Sequence, residues 1–229
     1  MEDCSVIPSK PRERIIATAR DLFRKHGIRG VGVDAIAEAA DTNKMTLYRH
    51  FGSKDDLVVA CLNDVARESQ AMWCNLEAAY PNDPRAQLQG WLRLSAECVG
   101  GDGRGCDMAN AAVELAEIDH PARHVIEEFK RAHRDRLAQL CRDAGIADAE
   151  MLADTLALLV EGARVSRQSV GVEGPCARFA EIGGAAIEAF ARGVVPRDHL
   201  APPRHAASKI KIERISSRAG VRAVRKVAR

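Results

Sequence analysis

Apolar residues recur with the period of an α-helix along most of the chain. In the first segment, residues 12–25, they fall at i, i+1, i+4, i+7 and i+8, and these are Ile15, Ile16, Ala19, Leu22 and Phe23. That spacing places them on one helical face. Similar patterns follow along the chain as far as residue 193. Because aromatic residues make up only 4% of the chain, the cores must be aliphatic, and we predict an all-α protein of about nine helices.

Two short helices near the N-terminus are separated by a tight turn. The run at 41–43 breaks the helical period, and Asn43 is the expected N-cap because its side-chain oxygen can accept hydrogen bonds from N–H groups one turn further on. Ser53, followed three residues later by Asp56, has the spacing of a capping box and predicts the start of a long helix. We therefore expect a helix-turn-helix at about 32–51, within an N-terminal three-helix domain.

The second of these short helices has a polar and cationic outer face. Leu47 and Phe51, four residues apart, would anchor it in a core. Its outer positions carry donors, cations and an aromatic ring: Lys44, Thr46, Tyr48, Arg49 and His50. Cations neutralise phosphates, hydroxyls reach phosphates or base edges, and a thin helix enters the major groove of DNA. Lys54 would add a charge to a phosphate-binding helix N-terminus.

The segment AIAEAADTNKMTLYRHFGSKDDL resembles the TetR/AcrR family of helix-turn-helix transcriptional regulators, in which a T-L-Y-x-H-F recognition helix precedes an S-K-x-x-L helix start. The resemblance is strong over residues 9–69 and elsewhere extends only to the helical layout. It implies DNA contacts at the matching positions, which are Thr42, Lys44, Thr46, Tyr48, His50 and Lys54. We add Arg49 to this set from its place on the outer face.

Two positions depart from the commonest form of this family. Gly32 stands where Ser or Thr often caps the second helix, and Asp41 stands where a turn glycine is usual. Glycine is an acceptable N-cap that loses the side-chain hydrogen bond at a cost of roughly a few tenths of a kcal/mol. Asp tolerates a left-handed backbone better than most residues do. The departures are not disabling, although they leave open the loss of one phosphate contact.

Helical patterns continue behind the N-terminal domain. We expect further helices at 84–99, from about Cys106, at 123–144, at 148–169 and at 175–193. The helix at 123–144 is expected to be exposed and charged. Four glycines between residues 100 and 105 are interpreted as a flexible connection, because no strand precedes them and no Gly-Lys-Ser/Thr follows, as a phosphate-binding loop would require.

A polar stripe follows one face of the helix that begins near Cys106. Cys106, Asn110 and Glu114 lie at i, i+4 and i+8 among apolar neighbours, so they can line a pocket together. The run resembles one branch of the TetR/AcrR family, which implies effector binding here and an electrophile-sensing cysteine. A helix N-terminus and nearby Arg104 favour a thiolate; a buried structural cysteine is the alternative. Three aromatic residues fit either an aromatic or amphiphilic effector or an ordinary core: Trp73, Trp91 and Phe129.

The sequence holds few candidates for metal or catalytic chemistry. His120 and His124 have a spacing that can hold a metal on one helical face. We interpret His120-Pro121 instead as a helix start with proline at its first position, because no third ligand is singled out. The seven cysteines are scattered without a C-x-x-C pair, so neither a zinc cluster nor a disulfide framework is indicated. We expect no enzyme activity, metal or cofactor, since no nucleophile, base and orienting group can be brought together.

The last two predicted helices have apolar faces suited to an interface. Gly183, Gly184, Ala185 and Ala186 form a small-residue surface on which another helix could pack closely, with internal core packing as the alternative. The resemblance implies a homodimer formed by these helices. Such a dimer would place two recognition helices about 34 Å apart and favour a near-palindromic operator.

Charge is distributed unevenly along the chain. Residues 1–54 carry 10 Lys/Arg and 7 Asp/Glu, residues 55–196 carry 14 and 23, and residues 197–229 carry 10 and 2. Phosphates repel an acidic middle, so DNA would be met by the ends of the chain. We expect a helical effector-binding and dimerisation domain at 70–196 and a basic, disordered tail at 197–229.

These features together predict a cytoplasmic, ligand-responsive repressor. No stretch approaches the ~18 apolar residues of a membrane span, and the N-terminus lacks the apolar region of a signal peptide. In the expected mechanism, a homodimer holds operator DNA until a small-molecule effector favours a conformation with the wrong spacing of recognition helices. The repressor sense comes from the resemblance, and activators occur in the family. The alternative is a dimeric ligand-binding protein with weakened or lost specific DNA binding.

Overall fold

The helices found in the structure follow the predicted order. The computed structural model describes residues 10–115, 117 and 119–193, and within them the chain forms nine α-helices, one short 3-10 helix and no strands. They are α1 (Pro11–His26), α2 (Val33–Ala39), α3 (Lys44–Phe51), α4 (Lys54–Ala79), α5 (Pro84–Gly100), α6 (Asp107–Glu114), α7 (Pro121–Asp143), α8 (Ala149–Val170), the 3-10 helix (Pro175–Arg178) and α9 (Phe179–Ala191). The predicted all-α class is confirmed. The basic segment at 197–229 lies outside the described residues.

The first three helices and the start of α4 enclose one aliphatic core. Each element contributes a side chain that is 0% exposed, and these are Ile15, Ile36, Leu47 and Leu57. The predicted face of α1 is thus the buried one. Burial of such side chains is the main force that holds these short helices in place, because helices this short are marginal in isolation.

The long helix α4 joins this N-terminal unit to the rest of the described chain. Its 26 residues give a length of roughly 39 Å at 1.5 Å per residue. Leu57 near its start belongs to the N-terminal core, whereas Trp73 and Leu76 near its end are buried among the later helices. We call the later part, from Trp73 to α9, the helical body.

Helix α7 is the central helix of the body, and the prediction of an exposed charged helix there is wrong. Its buried face carries Ile126, Leu137 and Cys141, and it contacts α4, α5, α6 and α8. The many Arg and Asp residues lie on the opposite face. Because these charged residues are so numerous, the regular apolar stripe of helical period was not recognised in the sequence.

The small-residue run of α9 is used inside the chain. Gly183 is buried against α5, and a Cβ atom there would lie only 2.5 Å from Leu92 Cδ1. The internal packing that the sequence left open as an alternative therefore accounts for Gly183. None of the helices in the described part of the chain is both long and apolar enough to cross a membrane.

Candidate nucleic-acid interface

Helix α3 is held by its caps and by two buried anchors. Asn43 Oδ1 accepts a hydrogen bond from Thr46 N at 2.8 Å, as the predicted N-cap requires. Leu47 is 0% and Phe51 is 7% exposed, so both anchor in the N-terminal core. Asp41 has a φ of 49°, which is the left-handed conformation the tight turn was expected to need there. One face of α3 is thus fixed to the core and the other is turned outward.

The outward face of α3 brings most of the predicted contact residues together. The exposed members are Lys44, Tyr48, Arg49 and His50, while Thr42 and Thr46 are half-buried. Residues 1–54 carry three more cations than carboxylates, whereas residues 55–196 carry more carboxylates than cations. A cationic face with hydroxyls on a short, firmly anchored helix is suited to the major groove of DNA.

Two of the predicted phosphate-binding lysines have partners within the chain. Lys44 Nζ lies 3.1 Å from Asp34 Oδ2, and this hydrogen bond raises the pKa of Lys44. Lys54 Nζ donates to the carbonyl oxygen of Ile28 at 2.6 Å, and burial lowers the pKa of Lys54. Lys54 therefore ties the loop after α1 to the start of α4, and a phosphate would have to compete with that bond.

The start of α4 has the capping geometry expected from the sequence. Ser53 Oγ accepts from Asp56 N at 3.0 Å and donates to Asp56 Oδ2 at 2.6 Å. Asp55 and Asp56 occupy the first turn, where carboxylates stabilise the helix but repel an incoming phosphate. The single phosphate clamp predicted at this helix start stays a prediction.

The three predicted effector-binding residues lie along one groove of about 440 Å³ between α1, α6 and α8. Asn110 Nδ2 donates to the carbonyl of Arg104 at 2.7 Å. Glu114 Oε2 accepts from Arg29 N at 3.1 Å, which connects α6 to the loop before α2. Asn110 and Glu114 thus already have partners inside the chain, and their role as pocket-lining residues stays a prediction.

Cys106 is the N-cap residue of α6 and is half-buried. Its Sγ lies 3.9 Å from Lys130 Nζ, which also forms an ion pair with Glu161. The cation expected beside the thiol was Arg104, but that guanidinium lies 3.8 Å from Asp21 Oδ1 instead. Electrophile sensing by Cys106 stays a prediction as well.

His120 acts as a helix cap, as the sequence indicated. Its Nδ1 accepts from Ala122 N at 3.1 Å, with Pro121 at the first position of α7. The side chain of His124 is 85% exposed. Among the described residues, no three or more His, Cys, Asp or Glu side chains are grouped to hold a metal ion.

Comparison with known proteins identifies the N-terminal unit and the fold. Residues 15–61 match the family model described as bacterial regulatory proteins, tetR family. A crystal structure of SCO4454, a TetR-family transcriptional regulator from Streptomyces coelicolor, is similar with a TM-score of 0.70 and 26% identity, over 80% of this chain and 95% of that one. Residues 15–61 therefore form a helix-turn-helix domain of the tetR family. The fold shared with that TetR-family structure extends through the helical body.

Curated relatives match over a limited part of the chain. The HTH-type transcriptional regulatory protein RaaS of Mycobacterium tuberculosis is 40% identical over 84 residues, which are 37% of this chain and 36% of RaaS. The HTH-type transcriptional repressor SCO4008 of Streptomyces coelicolor is 31% identical over 85 residues, or 37% of this chain and 40% of that protein. The matches thus cover well under half of these relatives.

Two features of the structure were not predicted from the sequence. Met45 on α3 is 82% exposed beside the predicted contact residues. The sequence indicates this exposure, because Met45 is a large apolar residue that lies outside the buried positions of the helix. Arg20 and Arg24 of α1 form ion pairs with Asp107 of α6, at 3.7 Å and 3.2 Å. Burial raises the pKa of Asp107. These ion pairs join distant parts of the chain, which no local pattern indicates.

Proposed function

We propose that this chain is a transcriptional regulator that binds a near-palindromic operator as a homodimer through α3, and that a small-molecule effector releases it. The observation that carries the proposal is the outer face of α3. Tyr48, Arg49 and His50 are exposed there while Leu47 holds the helix from behind. Such a helix can present donors to base edges and phosphates without unfolding.

The repressor sense is supported by the relatives. SCO4008 is named a transcriptional repressor, as is AcnR of Corynebacterium glutamicum, which is 34% identical over 64 residues. A repressor needs DNA affinity in its free form and a second state with lower affinity. The proposed effector would stabilise that second state.

The dimer is supported by an exposed apolar stripe on α8. Met151, Leu158 and Val165 are 55%, 73% and 58% exposed and lie seven residues apart, so they share one helical face. Ile182 on α9 is 39% exposed. A two-fold partner would cover these side chains.

Fluorescence anisotropy with labelled DNA tests the proposal. DNA from upstream of the chain's own gene would be titrated beside random DNA at two salt concentrations. We expect a salt-sensitive preference for the upstream DNA that Tyr48→Ala and Arg49→Ala each reduce about 10- to 100-fold, since a good base contact is worth roughly 1–3 kcal/mol. Arg178→Ala, which removes the same charge from an exposed site of the body, is the control and should change nothing.

The second candidate is a ligand-binding dimer without specific DNA binding. It is favoured by the internal hydrogen bond of Lys54 and by the carboxylates of Asp55 and Asp56 beside it. Equal, weak binding to both DNAs, unchanged by Tyr48→Ala, would select this candidate over the regulator.

A further inference from the structure

A groove between α4 and α7 has an aromatic wall. It has a volume of about 290 Å³ and is lined by Trp73 of α4 and by Phe129 and His133 of α7. Small-molecule sites in proteins are concave, largely apolar and aromatic, and carry a few polar groups. The groove contains none of the polar stripe Cys106, Asn110 and Glu114, but Trp73 and Phe129 are two of the aromatic residues for which the sequence left an effector site and an ordinary core open.

His133 is the centre of this aromatic group. Its ring stacks on Phe129 with centroids 5.9 Å apart and planes 21° apart, and it lies 5.5 Å from the ring of Trp73. The ring of Trp91, on α5, lies 6.3 Å away. Arg136 covers Trp73 at 5.3 Å from its centroid. Flat faces from three helices therefore meet at one point.

Two buried polar atoms of this group lack a hydrogen-bond partner within the described part of the chain. They are His133 Nδ1 and Trp91 Nε1. Buried polar atoms usually find partners, and each one left without a partner costs free energy. Only His133 of the two lines the groove, so a molecule bound there with a hydrogen-bonding group would remove the cost at His133.

The surroundings of His133 disfavour charge. Burial, and to a smaller extent the nearby cations Arg164 and Lys130, lower the pKa of His133 to about 4 against the opposing effect of Glu161. The aromatic rings and the nearby cations also disfavour a positively charged ligand, and Glu128, a carboxylate of the lining, is 73% exposed to solvent. An unpaired anion would lose its hydration there without a free cation to replace it, because Arg136 is already paired with Glu77 at 2.6 Å.

We propose that the groove around His133 binds an uncharged, planar aromatic molecule with one hydroxyl-like group. The stacked rings of Phe129 and His133, with Trp73 beside them, give the groove an aromatic wall that favours a planar ring system. A hydroxyl can donate to or accept from a neutral imidazole, whichever tautomer it has. The inference rests on the proposed function in one respect, since this molecule would be the effector.

Isothermal titration calorimetry of the full chain without DNA tests the site. Three probes separate its requirements: 2-naphthol is planar, neutral and hydroxylated, 2-decalinol has the hydroxyl without flat rings, and 2-naphthylmethylamine has the flat rings with a positive charge. We expect saturable binding of 2-naphthol with affinity at least tenfold above that of either other probe. Equal affinity for 2-decalinol or the amine would overturn the proposed ligand class.

Two variants locate the binding. His133→Leu removes the polar atoms and should weaken 2-naphthol about tenfold, whereas His124→Leu, on the exposed side of the same helix, should leave the affinity unchanged. Ala132→Trp places a large side chain at the exposed rim of the groove and should block binding without disturbing a buried position. Unchanged affinity in Ala132→Trp would overturn the assignment of this groove.

The DNA titration is kept separate from the calorimetry. A chain that binds upstream DNA specifically but not 2-naphthol contradicts the groove assignment and leaves the regulator intact. A chain that binds 2-naphthol but shows no DNA preference contradicts the regulator and leaves the groove intact. If both are right, 2-naphthol weakens operator binding in the wild type and not in Ala132→Trp.

Discussion

Arg49 of helix α3 and Arg134 of the helical body differ in their partners. On α3, the exposed side chain of Arg49 has no hydrogen bond or ion pair with any other described residue. In the body, Arg134 binds Asp154 at 2.7 Å and also pairs with Glu150, which Arg142 shares. Unpaired donors are available to an outside partner, whereas paired ones are neutralised within the chain. DNA binding therefore depends on the cations that remain unpaired, and not on the total number of cations in a region.

The two regions also differ in what they bury. The N-terminal core consists of aliphatic side chains, one phenylalanine and one cysteine, and its polar groups are outside. The body packs a half-buried histidine among aromatic rings and leaves buried polar atoms there, His133 Nδ1 and Trp91 Nε1, without partners. An aliphatic core stabilises the fold. Polar atoms without partners inside a core lower the stability, unless a bound molecule supplies the missing hydrogen bonds. Perturbing each region should separate these two roles.

The largest effect is expected from Leu47→Ala, which removes the anchor behind the recognition face. Leu47 is 0% exposed, and a change of this type in a core costs about 3 kcal/mol. Urea denaturation followed by circular dichroism measures the loss. Hydrogen exchange should rise in α1–α3 far more than in α8. Val113→Ala, at an 81% exposed position, is the control, and a loss below about 1 kcal/mol for Leu47→Ala would show that α3 is not held as described.

The next effect concerns the pH dependence of the body. The pKa of His133 is lowered to about 4 in the folded chain, against about 6.5 when unfolded. The unfolded chain therefore binds more protons between these values, so stability is full above pH 6.5 and is lost as pH falls towards 4. This histidine alone should cost about 2 kcal/mol between pH 7.5 and 5.0.

Urea denaturation at both pH values checks this, with His133→Leu and His124→Leu as the pair to compare. His133→Leu should reduce the loss on acidification, because its position no longer titrates. His124→Leu, at an exposed position, should keep it. If both variants lose as much stability as the wild type does, His133 is not buried in its neutral form.

The N-terminal unit was predictable because its signals are local. Asn43 and Ser53 cap the helices that follow them, and both caps were evident from spacing alone. Leu47 and Phe51 are buried where the helical period placed them. Each of these features depends on residues within one or two turns, which is the distance over which sequence patterns act.

The body was less predictable because its contacts join distant residues. The helices themselves were found, but the buried face of α7 was hidden by its many charges. The group around His133 draws rings from three helices. No spacing rule connects such positions, so the groove could be found only after the helices were placed.

A smaller effect is expected at two equivalent helix N-caps, one in each region. Asn43 caps α3 and Asp83 caps α5, accepting from Ala86 N at 3.0 Å. Replacing either by Ala should cost about 1 kcal/mol of stability. Only Asn43→Ala should also weaken specific DNA binding in the anisotropy assay, since only α3 presents the contact residues. Equal DNA affinity in the two variants would mean that the start of α3 does not position the interface.

The smallest effect is expected from Gly32→Ser, and its sign is favourable. Gly32 is the N-cap of α2 with an extended backbone, φ −83° and ψ 155°, and no side-chain cap hydrogen bond. A Cβ atom there meets nothing within 4 Å, so a serine hydroxyl can cap α2 and add a few tenths of a kcal/mol, or about 1 °C in the melting temperature. Gly52→Ser is the control of opposite sign, because its φ of 73° strains any side chain. If the serine hydroxyl also contacts a phosphate, Gly32→Ser binds operator DNA more tightly than the wild type does. If the variant is more stable but its DNA affinity is unchanged, position 32 affects only the helix cap.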